Sequence, residues 1–149
     1  MSDKRRVLLE GPILTRSGYG EHCRLVFRAL AAREQEVDLY ISPTGWGGTS
    51  WIFGEKDEKQ QDDIKKINNC IDKFVDYYNE CKSERSQMNF DSYIFVGILN
   101  EYERRAGHSV CVTAGIETDA VSSDWLVKTH QIPGPSSSVT GVDKIIVPS

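Results

Sequence analysis

Long apolar runs are missing from this chain. No stretch approaches the roughly 18 apolar residues of a membrane-spanning helix, and Glu10 and Pro12 break the apolar run that follows Lys4-Arg5-Arg6, which excludes a secretion signal there. Basic charge is also short. Eighteen Lys and Arg stand against 22 Asp and Glu, a net charge of −4, which argues against a broad nucleic-acid footprint. Cysteine is sparse and poorly spaced for metal or redox work. Cys23, Cys70, Cys81 and Cys111 form no C-x-x-C pair, and none stands near a histidine at zinc-finger spacing. They read as buried free thiols, with no disulfide framework and no metal site. There is no internal repeat, and the only low-complexity tract is the short serine run at 136–138. At 149 residues the composition is that of one globular, cytoplasmic domain with a core of its own.

What is there alternates between strand and helix. Val7-Leu8-Leu9-Glu10 reads as a first strand, Tyr19 to Arg33 as a helix, Val37 to Ile41 as a second strand, and Lys56 to Lys82 as a long polar helix. In that helix Ile64, Ile67, Ile71, Phe74, Val75 and Tyr78 form an amphipathic stripe. Tyr93 to Val96 is a third strand, without polar interruption, as expected of a strand buried on both faces. Val110 to Thr113 is a fourth strand, a short helix follows near Ser122 to Lys128, and Lys144 to Val147 is a fifth strand. The fold class expected is α/β: a Rossmann-like, doubly wound, mostly parallel sheet of about five strands with helices on both faces. The last strand has no helix after it, so we expect residues 1–149 to be the amino-terminal domain of a longer protein.

The loop from Gly11 to Gly18 links the first strand to the first helix, which opens at Tyr19-Gly20. Such a junction aims backbone N–H groups and the positive end of a helix dipole at one spot, which suits a phosphate. Two familiar sites fit it badly. A dinucleotide fingerprint begins at Gly18-Tyr19-Gly20, but its third glycine falls on Cys23 and the turn is several residues too long. Asp38 has the separation of a ribose-binding acid, yet lies inside the second strand. A phosphate-loop NTPase needs a lysine after the glycines, and none follows Gly18.

The Gly-x-x-x-x-x-x-Gly-Tyr-Gly segment resembles the N-terminal domain of retaining glycosyltransferases of the GT-B fold, family four in particular. A second patch is similar to the same family: Glu117-Thr118-Asp119 after the fourth strand, then Trp125-Leu126, then Val142-Asp143-Lys144-Ile145-Ile146-Val147-Pro148-Ser149. Val96-Gly97-Ile98-Leu99-Asn100-Glu101 resembles the family's loop after its third strand. The resemblance implies a metal-independent transfer of sugar from a nucleotide-sugar donor to a sugar or glycan acceptor, with retained configuration. It also implies that this domain mainly holds the acceptor, while a second domain, absent from these residues, holds most of the donor. No other cofactor, nucleic acid or membrane is expected as a partner. A non-catalytic nucleotide- or sugar-binding module and an NAD-type dehydrogenase domain are the alternatives.

The candidate binding residues are Gly18, Tyr19, Gly20 and His22 at the start of the first helix, and Asn100 and Glu101 after the third strand. Glu117 and Asp119 are the candidate catalytic residues. They follow the fourth strand, and ligand sites in open α/β sheets gather beyond the carboxyl ends of strands. Glu117 would orient or deprotonate an acceptor hydroxyl, a role that requires hydrogen-bond reach. Relatives in that family carry a histidine in this loop, whereas none occurs here between Ser109 and Lys128. Arg16 is a candidate phosphate contact. Trp46 and Trp51 are candidates either for stacking on sugar or for covering the core under a long loop.

Overall fold

The computed structural model describes residues 3–45, 50–52, 54, 56–97, 103, 105–113 and 144–146. The first strand, β1 (Arg5–Gly11), buries Leu8 and Leu9 equally, so both faces of the sheet are covered at this point. It lies between β2 (Val37–Pro43) and β3 (Ser92–Val96), and β4 (His108–Val112) and β5 (Lys144–Ile146) continue outward from β3. All pairings are parallel and the order is β2-β1-β3-β4-β5. The expected doubly wound α/β fold is present. The expected helix near Ser122 to Lys128 lies outside the described residues.

Register divides the core in two. Leu8 is level with Tyr40 on β2 and with Tyr93 on β3. With Phe95, Cys111 and Phe90 these residues make the core of one face. Val7, Leu9, Leu39, Ile41, Val96 and Val112 make the core of the other.

Helix α1 (Gly18–Ala31) covers this second face with Cys23 and Phe27. It starts where Ser17, in extended backbone, accepts the Gly20 N–H at 3.0 Å on its hydroxyl, an N-cap arrangement. Helix α2 (Glu58–Ser83) opens with a full capping box, in which Asp57 and Gln60 satisfy each other's backbone N–H groups. Its apolar stripe serves both cores in part, with Val75 and Tyr78 left exposed. Ile64, Ile67 and Ile71 join the α1 side, and Phe74 and Tyr77, further along, join the other. The helix therefore passes along the β2 edge from one face toward the other and shields the unpaired side of that strand. Fully burying an Ile such as Ile67 is worth about 2–3 kcal/mol, enough to hold a helix whose other faces are charged.

Candidate functional site at the carboxyl rim

The chain leaves β1 for β2 on one side of it and then crosses from β2 to β3 on the other side. The sheet order therefore reverses between β1 and β3, and a crevice at the carboxyl ends of those strands is where open α/β sheets bind ligands. The segment from Gly11 to Ser17 stands at this point.

The loop holds itself and its neighbour rigidly. Ile13 N–H donates to the Gly11 carbonyl at 2.9 Å, and Thr15 N–H to the Pro12 carbonyl at 3.1 Å. The Thr15 hydroxyl donates to that same carbonyl at 2.9 Å and lies 2.8 Å from the Ser17 hydroxyl. Thr44 N–H donates to Gly11 O and Trp51 N–H to Leu14 O, each at 2.9 Å, and Thr15 forms a bridge with Ser50. The loops leaving β1 and β2 are thus tied into one wall.

Arg24 is the centre of that wall. It is only 1% exposed, and its Nη1 donates to the Ile13 carbonyl at 2.8 Å and to the Thr15 carbonyl at 2.7 Å. Its Nη2 meets Glu21 at 2.7 Å, and the guanidinium stacks on Trp51. The same contact with Arg24 holds the Glu21 carboxyl below the usual carboxylate range. The Trp51 ring carries a second cation, with Lys56 Nζ 4.8 Å from the centroid. Trp51 is buried, which makes it a loop-packing residue.

The two glycines of the helix start differ. Gly18 is exposed, and a side chain added there would stand in open space. Gly20 is buried. A Cβ on it would collide with the Thr15 carbonyl and come 2.9 Å from the Pro12 carbonyl, so glycine is required for the loop to fold back on the helix. The Gly20 N–H is already spent on Ser17.

Tyr19 packs half-buried against the α1-side core, and His22, one turn on, is half-buried with its Nδ1 enclosed and without a hydrogen-bond partner among the described residues. Thr113, at the end of β4, is in the same condition at its Oγ1. Exposed Arg16 reaches across to the β2–α2 segment, where a Cβ on Gly54 would lie 3.3 Å from its Nη2. Asn100, Glu101, Glu117, Asp119 and Trp46 lie outside the described residues.

Asp38 sits within β2, bonded to Lys73 and to the Tyr40 hydroxyl, so it is not placed to hold a ribose. No group of His, Cys, Asp or Glu suited to a metal ion occurs among the described residues. No helix among them is long and apolar enough to cross a membrane.

Sequence patterns passed over three residues. Arg24 falls between Cys23 and Phe27 on the apolar side of α1, and Glu10 falls in a central strand. A charge in either place must find partners. Glu10 accepts from the Tyr93 hydroxyl at 2.6 Å, with Arg105 Nε 3.7 Å away. Each charge interrupting an apolar pattern was a usable signal. Thr113 gave none, because the lack of a partner for its hydroxyl among the described residues is visible only in three dimensions.

No family model, curated protein or solved structure matches this chain.

Proposed function

We propose that this chain is the acceptor-side domain of a retaining glycosyltransferase of the GT-B type. The observation that carries the reading is topological. The glycine loop resembling that family lies at the carboxyl end of β1, where the sheet reverses direction between β1 and β3. A loop braced from below by Arg24 and from the side by Trp51 is preorganised, so a ligand need not meet the entropy of ordering it.

Within this reading Gly18, rather than Gly20, makes the close approach to the sugar or its diphosphate, because only Gly18 has open space beside it. Tyr19 and His22 flank that approach, and Asn100 and Glu101 take sugar hydroxyls. Glu117, with Asp119 beside it, orients the acceptor hydroxyl and takes up its proton. The bond between the anomeric carbon and the diphosphate oxygen breaks, the bond to the acceptor oxygen forms on the same face, and the nucleoside diphosphate leaves. A cytoplasmic setting belongs to the proposal and suits four cysteines that form no disulfide.

The test is sugar transfer by the polypeptide of the full reading frame, assayed against a panel of nucleotide sugars and glycan acceptors. Glu117→Gln is expected to lower turnover by about 100-fold or more, the scale of general-base loss, with the melting temperature nearly unchanged. Unaltered turnover removes Glu117 from the mechanism.

A further inference from the structure

Glu10 stands in the central strand, level with Ser42 on β2 and Phe95 on β3. Alternation along β1 puts its side chain on the face of Leu8, away from α1, and that side chain is only 11% exposed. One of its two oxygens is engaged. Oε1 accepts the Tyr93 hydroxyl at 2.6 Å, and Arg105 Nε approaches the same oxygen at 3.7 Å, too far for a hydrogen bond. Oε2 has no partner among the described residues. A buried carboxylate is costly unless its hydrogen bonds are met. Leucine here would extend the apolar core of Leu8, Phe95 and Cys111 without that cost.

A second unmet group lies on the same face. Thr113 N–H donates to Ile146 O at 3.0 Å, which carries the β4–β5 pairing one residue beyond Val112. Alternation then places Thr113 on the side of Cys111, whose core includes Leu8. Thr113 is 2% exposed, and its Oγ1 has no hydrogen-bond partner among the described residues. Native folds rarely leave such a hydroxyl unmet. By register Thr113 stands two strands from Glu10, about 10 Å across the sheet, and one side-chain repeat nearer the carboxyl rim.

We infer that Glu10 Oε2 and Thr113 Oγ1 bind hydroxyls of an uncharged sugar, on the wall of the rim crevice opposite α1. The inference rests on the sugar-transfer reading of that rim and assigns the sugar ring of the acceptor to this wall. The chemistry of the two groups selects the ligand. A free carboxylate oxygen takes a donor, and a threonine hydroxyl both gives and takes one. The charge of Glu10 repels a phosphate. Arg105 is the only cation within ion-pair reach of Glu10 among the described residues, and it offsets that charge, so an ammonium gains little. Tyr93 is a positioning residue, which fixes the carboxylate through Oε1 and leaves Oε2 to the ligand.

The test titrates the protein with the methyl glycosides of glucose, galactose, mannose and N-acetylglucosamine, and separately with UDP, GDP and inorganic phosphate, while backbone amide resonances are followed. At least one glycoside is expected to shift Glu10, Gly11 and Thr113 saturably in the millimolar range, about 1–20 mM. In Glu10→Gln the side-chain oxygen stays on the Tyr93 hydroxyl, and an amide nitrogen, which cannot accept, replaces Oε2. That variant should bind the glycoside about tenfold more weakly or worse. Thr113→Val removes the unmet hydroxyl, so its melting temperature should hold or rise while binding weakens about fivefold. A purely structural role for either residue predicts a loss of melting temperature with wild-type affinity. Wild-type affinity in either variant overturns the proposal, as do shifts of the same three amides by inorganic phosphate. Shifts of Gly18 and Tyr19 by UDP or GDP, with no response to any glycoside, overturn it and leave the transferase reading standing. Silence from every probe overturns both.

Discussion

The Arg24 guanidinium lies 4.4 Å from the centroid of the Trp51 ring while its Nη1 holds the carbonyls of Ile13 and Thr15. One buried cation thus joins helix α1, the glycine loop and the segment leaving β2. Removing it leaves two buried carbonyls without donors. Arg24→Met is expected to cost about 2–4 kcal/mol in urea unfolding. Arg24→Lys should recover only part of that, since an ammonium cannot both fork across two carbonyls and stack flat on an indole. Equal stability of wild type and Arg24→Met would mean that the loop does not depend on this contact.

The two glycines should separate cleanly under mutation. Gly20→Ala drives a methyl into the Thr15 and Pro12 carbonyls and is expected to destabilise the protein by about 2 kcal/mol or more. Gly18→Ala meets nothing, and should be neutral or stabilising by up to about 1 kcal/mol through the unfolded chain. Thermal melts of the two variants check this. Similar losses in both would contradict the difference in surroundings.

Cys23 supplies an alkaline signature. Its sulfur lies beneath Gly11, and burial pushes the thiol up to about 12, with the nearby Arg24 charge opposing weakly. The native state then keeps its proton at pH values where the unfolded chain has lost it. Stability is unaffected below about pH 9 and falls above it by about 1.4 kcal/mol per unit until the folded value is reached. Tyr40 and Cys70 are raised by burial as well and act in the same direction. The difference between wild type and Cys23→Ala isolates one group: the variant should have a flatter alkaline limb in its pH–stability profile, though a lower plateau from the lost packing. Parallel limbs would show that the thiol titrates normally.

The strands were legible because apolar runs such as Tyr93 to Val96 and Val7 to Leu9 have few other uses in a chain this polar. The long helix was legible from its stripe, but its course was not. That Ile67 and Phe74 serve opposite faces of the sheet follows from the angle at which α2 crosses the β2 edge, a property of packing rather than of period. At the glycine loop, sequence marked the right place and left the work of Gly20 open. Its neighbour in space is the carbonyl of Thr15, and a fold-back of that kind has no composition of its own. Arg24 reads in sequence as one more charge on an amphipathic helix, and only the convergence of two carbonyls and an indole makes it the brace of the site.

The central claim is that the rim at the β1–β3 reversal binds a sugar donor or acceptor. It is tested most directly by following backbone amide resonances while the protein is titrated with nucleotide sugars and with glycan acceptors, in wild type and in Gly18→Val. The account predicts shifts concentrated on Gly18, Tyr19 and His22 for at least one ligand class, and their loss in Gly18→Val without loss of the fold. Shifts confined to the amino side of the sheet, or unchanged binding by Gly18→Val, would contradict it.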